Sequence, residues 1–565
     1  MLHVERNIDY KCEMLHVERQ KFKYMVISGT IVDVLRRKMF KGRLHVINGK
    51  ISDIQSADIV NPVYILPGLI DSHVHIESSM VTPARFAQNA VKHGVISAIS
   101  DPHEIANVCG IEGIKFMLEN AKQVPFKFWF GAPSCVPSTP FENSGAELDA
   151  KQIGELFDQY GLKYLAEMMN FPGVVNQNHD VVAKLKEAID RNLPIDGHAP
   201  GLTGEPLVQY INMGISTDHE CTSLAEAEEK IKCGMKIIIR EGSAAKNFDE
   251  LYPLIDIYPD QVMLCTDDFH PENFSKSYLN RLIKIGQEKG LDFWNLMQAV
   301  TINPIAHYKI DVGLVQVGDN ADFIVVDNPK KFNVLQTWID GKLVFDGINT
   351  FDYSGTNLFI NNFNAKPISP NSLAVKAKSG ALNVIQAIDG DLYTNCIKVL
   401  PKIHNDECLP DIENDILKLV VVNRYDENPT PKVAFVNGFD LKKGAIASSI
   451  AHDSHNIIAV GTNDHDIANA INAVIENRGG ISAASENQVY TLGLPIAGLL
   501  TDENVETVSQ KYMELDKFVK EYGTNLSAPF MTLAFMSLLV IPKIKLGDRG
   551  LFDVTKFEFI DLFSV

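Results

Sequence analysis

The stretch Pro67-Gly-Leu-Ile-Asp-Ser-His-Val-His-Ile-Glu77 is an apolar run that ends in His-x-His. Residues i and i+2 of a strand share one face, so His73 and His75 point the same way while Val74 points into packing. Two imidazoles placed like this at a strand end can take a metal ion, and the chemistry they open is hydrolysis. A binuclear hydrolytic site needs about two imidazoles per ion, a carboxylate or similar bridge, and a carboxylate to accept the proton of the attacking water. Glu167, His198, His219 and Asp267 follow later short apolar runs and supply those groups. Taken singly, each has a plain explanation as a cap, a turn residue or the partner of a backbone carbonyl. Taken together they make His73, His75, Glu167, His198, His219 and Asp267 candidate metal ligands, with Glu167 and Asp267 as candidate catalytic groups.

The elements that must position these residues are legible. Eight apolar strand candidates alternate with helical segments over residues 67–305. They end at His73/His75, Ser100-Asp-Pro-His103, Phe130-Gly-Ala-Pro133, Ala166-Glu167, Asp196-Gly-His198, Thr217-Asp-His219, Ile239-Arg-Glu241 and Cys265-Thr-Asp-Asp268. This alternation predicts an α/β protein with a catalytic (β/α)8 TIM-like barrel, whose working residues lie at the C-terminal ends of the strands. The helices carry their own signals: Thr82 before Pro83 as an N-cap, Gly94 as a stop, and Ser223-Leu-Ala-Glu226 as a capping box before Gly234. Asp101, His103 and Arg240 are further polar groups at strand ends, and Glu77 follows the His-x-His closely. They are candidate substrate-binding residues; the equal alternative is that they orient the ligand histidines.

Residues 23–66 and 306–360 alternate apolar and polar residues around glycine turns, which predicts a small β-sandwich domain built from both flanks of the barrel. Residues 361–565 change character and read as a separate C-terminal α+β domain. Residues 1–22 hold Met-Leu-His-Val-Glu-Arg twice, at Met1–Arg6 and Met14–Arg19, and read as a disordered leader without a catalytic role.

A chain of 565 residues exceeds what one core serves. A net charge of -19 without any Lys/Arg-rich block argues against a nucleic-acid partner. Eight scattered cysteines without a C-x-x-C pair fit free thiols in a reducing cytosol. With no run of 18 apolar residues and no basic-then-apolar leader, no membrane partner is expected and a cytoplasmic location is. A homo-oligomer, a dimer in its simplest form, is also expected.

Several segments carry a more specific likeness: Pro67 to Met80, Ser100-Asp-Pro-His-Glu-Ile-Ala-Asn107, Glu167-Met-Met-Asn-Phe-Pro-Gly173, Asp196-Gly-His-Ala-Pro-Gly201, Asp218-His-Glu-Cys-Thr222, Arg240-Glu-Gly-Ser-Ala-Ala245 and Cys265-Thr-Asp-Asp268. On them the chain resembles the amidohydrolase superfamily and, within it, the bacterial and archaeal adenine deaminases, from about residue 24 to 554. Many superfamily members place a carboxylated lysine on strand 4, where this chain has Glu167. The resemblance implies hydrolysis of adenine to hypoxanthine and ammonia in purine salvage. It also implies two divalent ions, manganese or iron with zinc as an option, that generate the hydroxide attacking C6, and a small-molecule purine as the partner. Asp267 would accept the water proton, and Glu167 would bridge the ions, protonate N1, or do each in turn. One departure is Phe269, where the family pattern puts a basic residue before His270-Pro271. The histidines of Ala451-His-Asp-Ser-His-Asn456 and His465 are read as surface loops in preference to a loop reaching the barrel mouth.

Three other readings compete. The single-zinc base deaminases need a distant Pro-Cys-x-x-C, and no Pro-Cys dipeptide occurs. Another amidohydrolase, acting on a cyclic amide or an N-acetyl group, shares the generic ligands. A non-catalytic scaffold would be expected to lose some of the six ligands, and this chain keeps all of them.

Overall fold

The computed structural model describes residues 24–60, 63–243 and 245–564; the duplicated leader lies outside them. The strands Leu69–His75, Val95–Ser100 and Lys127–Phe130 pair in parallel. A parallel bridge from Ala132 to Leu165 leads to Leu165–Met168, which pairs with Ile195–Gly197. The Ser216 N–H donates to Ile195 O and carries the pairing on to Thr217–Asp218, Lys236–Arg240 and Val262–Cys265. Asp267–Asp268 then pairs in parallel with Val74 and His75, so the pairing returns to the strand on which it began. Apart from Lys127, Phe128, Trp129, Lys236 and Asp268, every residue of these nine strands is buried. That is why they read as continuous apolar runs: parallel strands covered on both faces have no polar side to alternate with.

The helix signals hold with local changes. The helix Pro83–Ala90 starts at its proline, but the Thr82 hydroxyl donates to Asp502 Oδ1 at 2.7 Å instead of capping it. Ser223 accepts from the Glu226 N–H at the start of Leu224–Lys232, while the Glu226 carboxylate turns to Lys230 and the Thr222 N–H.

The flanks build a single sheet, not the expected sandwich. Its seven strands run in the order Lys342–Phe345, Val334–Ile339, Phe323–Val326, Tyr64–Pro67, Tyr24–Asp33, Lys38–Ile47 and Lys50–Ser56. Ile51 N donates to Asp319 O at 2.9 Å and Ala321 N to Gly49 O at 2.8 Å, so the last strand closes onto the loop leading into the third. The sheet thus curls around its own core of Ile31, Leu44, Ile65, Phe323 and Val325. Alternation reveals that one face is buried, but a second sheet and the same sheet curling over would bury it equally well.

The C-terminal region is a nine-stranded mixed sheet with the helix Asp464–Glu476 packed on it and the helix Val505–Glu521 beside it. It docks against the mouth of the parallel strands. Thr501 N donates to Met80 O at 2.9 Å and Arg85 Nε to Asp502 O at 2.8 Å. Among the described residues no helix is long and apolar enough to cross a membrane.

Candidate active site

All six candidate ligands lie together at the C-terminal strand ends. Gly197 lets two of them approach, because a Cβ there would sit 2.4 Å from Thr217 O and push apart the strands that carry His198 and His219. Buried Asp71 fixes the first strand, accepting from His73 N at 3.3 Å and from the Tyr278 hydroxyl at 2.6 Å. Burial raises the Asp71 carboxyl to about 6 against the hydrogen bonds from Thr266 and Tyr278. Asp267 occupies the left-handed region at φ 56°, which Asp tolerates better than most residues.

The six form two overlapping groups. His73 Nε2 and His75 Nε2 are 3.1 Å apart, with Asp267 Oδ1 at 3.6 and 3.2 Å from them. Glu167 Oε2 lies 2.8 Å from His198 Nδ1 and 3.1 Å from His219 Nε2, and its Oε1 lies 3.4 Å from His75 Nε2. Glu167 therefore stands between the two groups, with one oxygen toward each. Burial pushes both carboxyls up; His198 and His219 hold Glu167, and Arg240 with His73 and His75 holds Asp267, well below the usual carboxylate range.

This donor set fits divalent ions. His75 Nδ1 lies 3.2 Å from Asp101 O, a carbonyl that can only accept, so one proton sits on Nδ1, and in the neutral ring the Nε2 lone pair is free for a cation. That lone pair faces His73 Nε2 and a carboxylate oxygen, a convergence of electron-rich atoms that a cation between them relieves. His73, His75 and Asp267 could hold one ion and His198 and His219 a second, with Glu167 between.

The other candidates divide. His103 joins the site: its Nδ1 is 3.1 Å from Asp101 Oδ2 and 3.6 Å from Glu167 Oε1, and its ring stands edge-on to that of His75. Arg240 is already engaged, donating to Asp267 Oδ2 at 2.6 Å and to both oxygens of Glu220, so it acts first on those carboxylates. Glu77 is buried and turned away, accepting from Ile105 N at 3.2 Å; burial and the Glu104 charge raise it to about 7. Phe269 packs against Phe274 and Tyr278, which explains how an apolar residue is accommodated there. The residue that sequence reasoning missed is Glu220, with Oε1 at 3.5 Å from both His198 Nδ1 and His219 Nε2. A carboxylate directly following a strand-end histidine was the available signal.

The reading of the 451–456 segment as a surface loop is corrected. His452 and His455 are buried and grip Glu104, the neighbour of His103, with His452 Nδ1 at 2.7 Å from Oε1 and His455 Nε2 at 2.5 Å from Oε2. His455 Nδ1 accepts from Ala451 N at 3.3 Å, so its proton is on Nε2, the nitrogen that faces Glu104. The three side chains are a carboxylate staple that fastens the C-terminal domain to the mouth. His465 alone of the three histidines is exposed, on the helix Asp464–Glu476.

Replacing Glu104 by Gln is expected to destabilise the protein by about 3–5 kcal/mol, because it leaves a buried imidazolium without its counter-charge. Burial lowers the His452 pKa, but the Glu104 charge overrides it and lifts it from 6.5 to about 9. That contribution is full below 6.5 and is lost as pH rises through about 9. Glu104 is held well below its ordinary 4.5, so its own contribution is full above 4.5 and is lost as pH falls through the lowered value. Denaturant titrations of wild type and Glu104→Gln should therefore differ most between 4.5 and 6.5 and converge towards alkaline pH. A gap that stays constant through alkaline pH would remove the staple.

Comparison with known proteins follows the same lines. Residues 64–344 match the amidohydrolase family, and residues 391–558 match the adenine deaminase C-terminal domain. The adenine deaminase of Methanosarcina mazei is 51% identical over 562 residues, covering 96% of this chain and 99% of its own. That of Methanosarcina acetivorans is 52% identical, covering 95% of this chain and 99% of its own. That of Salinibacter ruber is 48% identical over 95% of this chain and 98% of its own.

Proposed function

The chain belongs to the adenine deaminase family of amidohydrolases, and from that premise we propose that it hydrolyses adenine to hypoxanthine and ammonia. The observation that supports this most is the pair of donor groups sharing Glu167 at the mouth of the parallel strands. We read those strands as one closed (β/α)8 barrel over residues 67–305, supported by the return of the pairing from Asp267–Asp268 to Val74 and His75.

His73, His75 and Asp267 would hold one divalent ion, His198 and His219 the other, and Glu167 would bridge them. Two such ions, manganese or iron in this reading with zinc as an option, would lower the pKa of water toward neutrality. Asp267 accepts the proton of the attacking water on Oδ1, because Oδ2 is engaged by Arg240. Arg240 also keeps that carboxylate ionised and so competent as a base. Attack at C6 gives a tetrahedral carbon that is stable only with N1 protonated. We read Glu167, with an oxygen toward each imidazole group, as the bridge, and His103 beside it as the candidate donor to N1.

The test is an adenine-dependent ammonia assay on protein stripped with chelator and then given manganese or iron. Ammonia and hypoxanthine should appear in equal amounts in the reloaded protein only. Inactivity toward adenine, with acetate or a ring-opened product released from other substrates, would transfer the site to a different amidohydrolase reaction.

A further inference from the structure

The two imidazoles of the second donor group are carried by very little sheet. His73 and His75 lie on a strand of seven residues, whereas His198 and His219 each lie one residue past strands of three and two, Ile195–Gly197 and Thr217–Asp218. Backbone pairing therefore ends just before each of them, and 198–203 and 219–223 are loops. Donors at a metal site must be held to within about 0.5 Å, so these loops need another anchor.

A buried ionic triad supplies it. Lys230, on the helix Leu224–Lys232, donates through Nζ to Ala199 O at 2.7 Å, Asp218 Oδ2 at 3.0 Å and Glu226 Oε1 at 2.7 Å, which uses all three ammonium hydrogens. Asp218 Oδ1 accepts from Ala199 N at 2.8 Å and its Oδ2 from Glu220 N at 3.3 Å. Glu226 Oε1 accepts from Gly201 N at 2.9 Å and its Oε2 from Thr222 N at 3.2 Å. The triad thus grips the backbone just after His198 and on both sides of His219. All three side chains are buried, and although burial opposes the Lys230 charge, the Asp218 charge outweighs it and holds the ammonium above its ordinary value. Tyr210 accepts from His198 N at 3.1 Å and Asn247 donates to His219 O at 3.0 Å, so each holds one loop, whereas the triad holds both. Apolar residues of similar volume often serve stability as well as a buried ion cluster does, so stability alone does not account for this one.

On the two-ion reading above, we infer that Lys230, acting through Asp218 and Glu226, is the positioning residue of the second donor group and sets the affinity of that ion alone. The first group is anchored independently. Parallel pairing places Asp267–Asp268 beside Val74 and His75, and Asp71 ties His73 N to Thr266. Loosening the triad therefore frees the loops of His198 and His219 while His73, His75 and Asp267 keep their places. Partners that orient ligands from behind in this way are worth about 10–100-fold in metal affinity.

The test titrates chelator-stripped protein with manganese by calorimetry, with thermal melts alongside, for wild type, Lys230→Met, Glu226→Gln and the double variant Lys230→Met/Asp218→Asn. Lys230→Met alone leaves two buried carboxylates without a counter-charge. The double variant keeps the single net negative charge of the triad, so it carries the comparison where the single change does not fold. Wild type should take two ions. In the variants one ion should bind about 10–100-fold more weakly and the other within about threefold of wild type, with Glu226→Gln the mildest. In a His198→Ala background, which disables the second group, adding the double change should leave the remaining affinity unaltered. Equal weakening of both ions, or unaltered binding of both in a folded variant, overturns the proposal. A wild type that takes two ions without releasing ammonia from adenine loses the deaminase reading by itself, and the selective weakening of one ion still upholds the triad.

Discussion

Glu167→Gln is expected to lower adenine turnover on the order of 10⁴-fold, about 5.5 kcal/mol, at the upper end of what a positioned acid–base group contributes. The geometry makes this the most damaging single change. One oxygen of Glu167 faces His198 and His219 at 2.8 and 3.1 Å, and the other faces His75 at 3.4 Å. An amide keeps the shape but replaces one acceptor by a donor, which cannot face a cation or an imidazole N–H. Metal analysis separates the possible causes. A bridging role predicts that the variant binds less than two equivalents after reconstitution, whereas a role in protonating N1 alone predicts full loading with a slow chemical step. Turnover near that of wild type would remove Glu167 from the site altogether.

Asp267→Asn is expected to be nearly as severe, about 10³–10⁴-fold in kcat, with KM for adenine little changed. Here the acceptor of the water proton is lost. The same change also strips the charge that Arg240 faces at 2.6 Å, leaving that guanidinium on Glu220 alone. A structural role would show mainly as lost stability or lost metal. The informative result is therefore a fully loaded, folded Asn variant without turnover, and near-normal kcat in that variant would sink the base assignment.

The donors were legible because their positions follow local rules. His73 and His75 share a face by the period of a strand, and the remaining donors follow apolar runs too short for helices and too uniform for half-exposed strands. Glu220 escaped because the strand before it, Thr217–Asp218, is only two residues long. Past its end alternation no longer says where a side chain points, and His219 and Glu220 both reach the site. Glu104, His452 and His455 escaped for a different reason. Their partnership joins segments far apart in the chain, and no local pattern marks an imidazole that finds its carboxylate in another domain. The flanking sheet shows the same limit: its apolar alternation was plain, but the contact of Ile51 with Asp319 that curls it is non-local.

The sequence by itself determined the donor types, their order and their places at strand ends, since these depend on backbone periodicity and on which residues can bind a cation. Tertiary structure alone decided the rest. It turned one Glu167 oxygen to each imidazole group, engaged Arg240 with Asp267 and Glu220, and brought His452 and His455 onto Glu104. Those outcomes depend on how distant surfaces pack and where buried charges find counter-charges, which are properties of the folded chain as a whole.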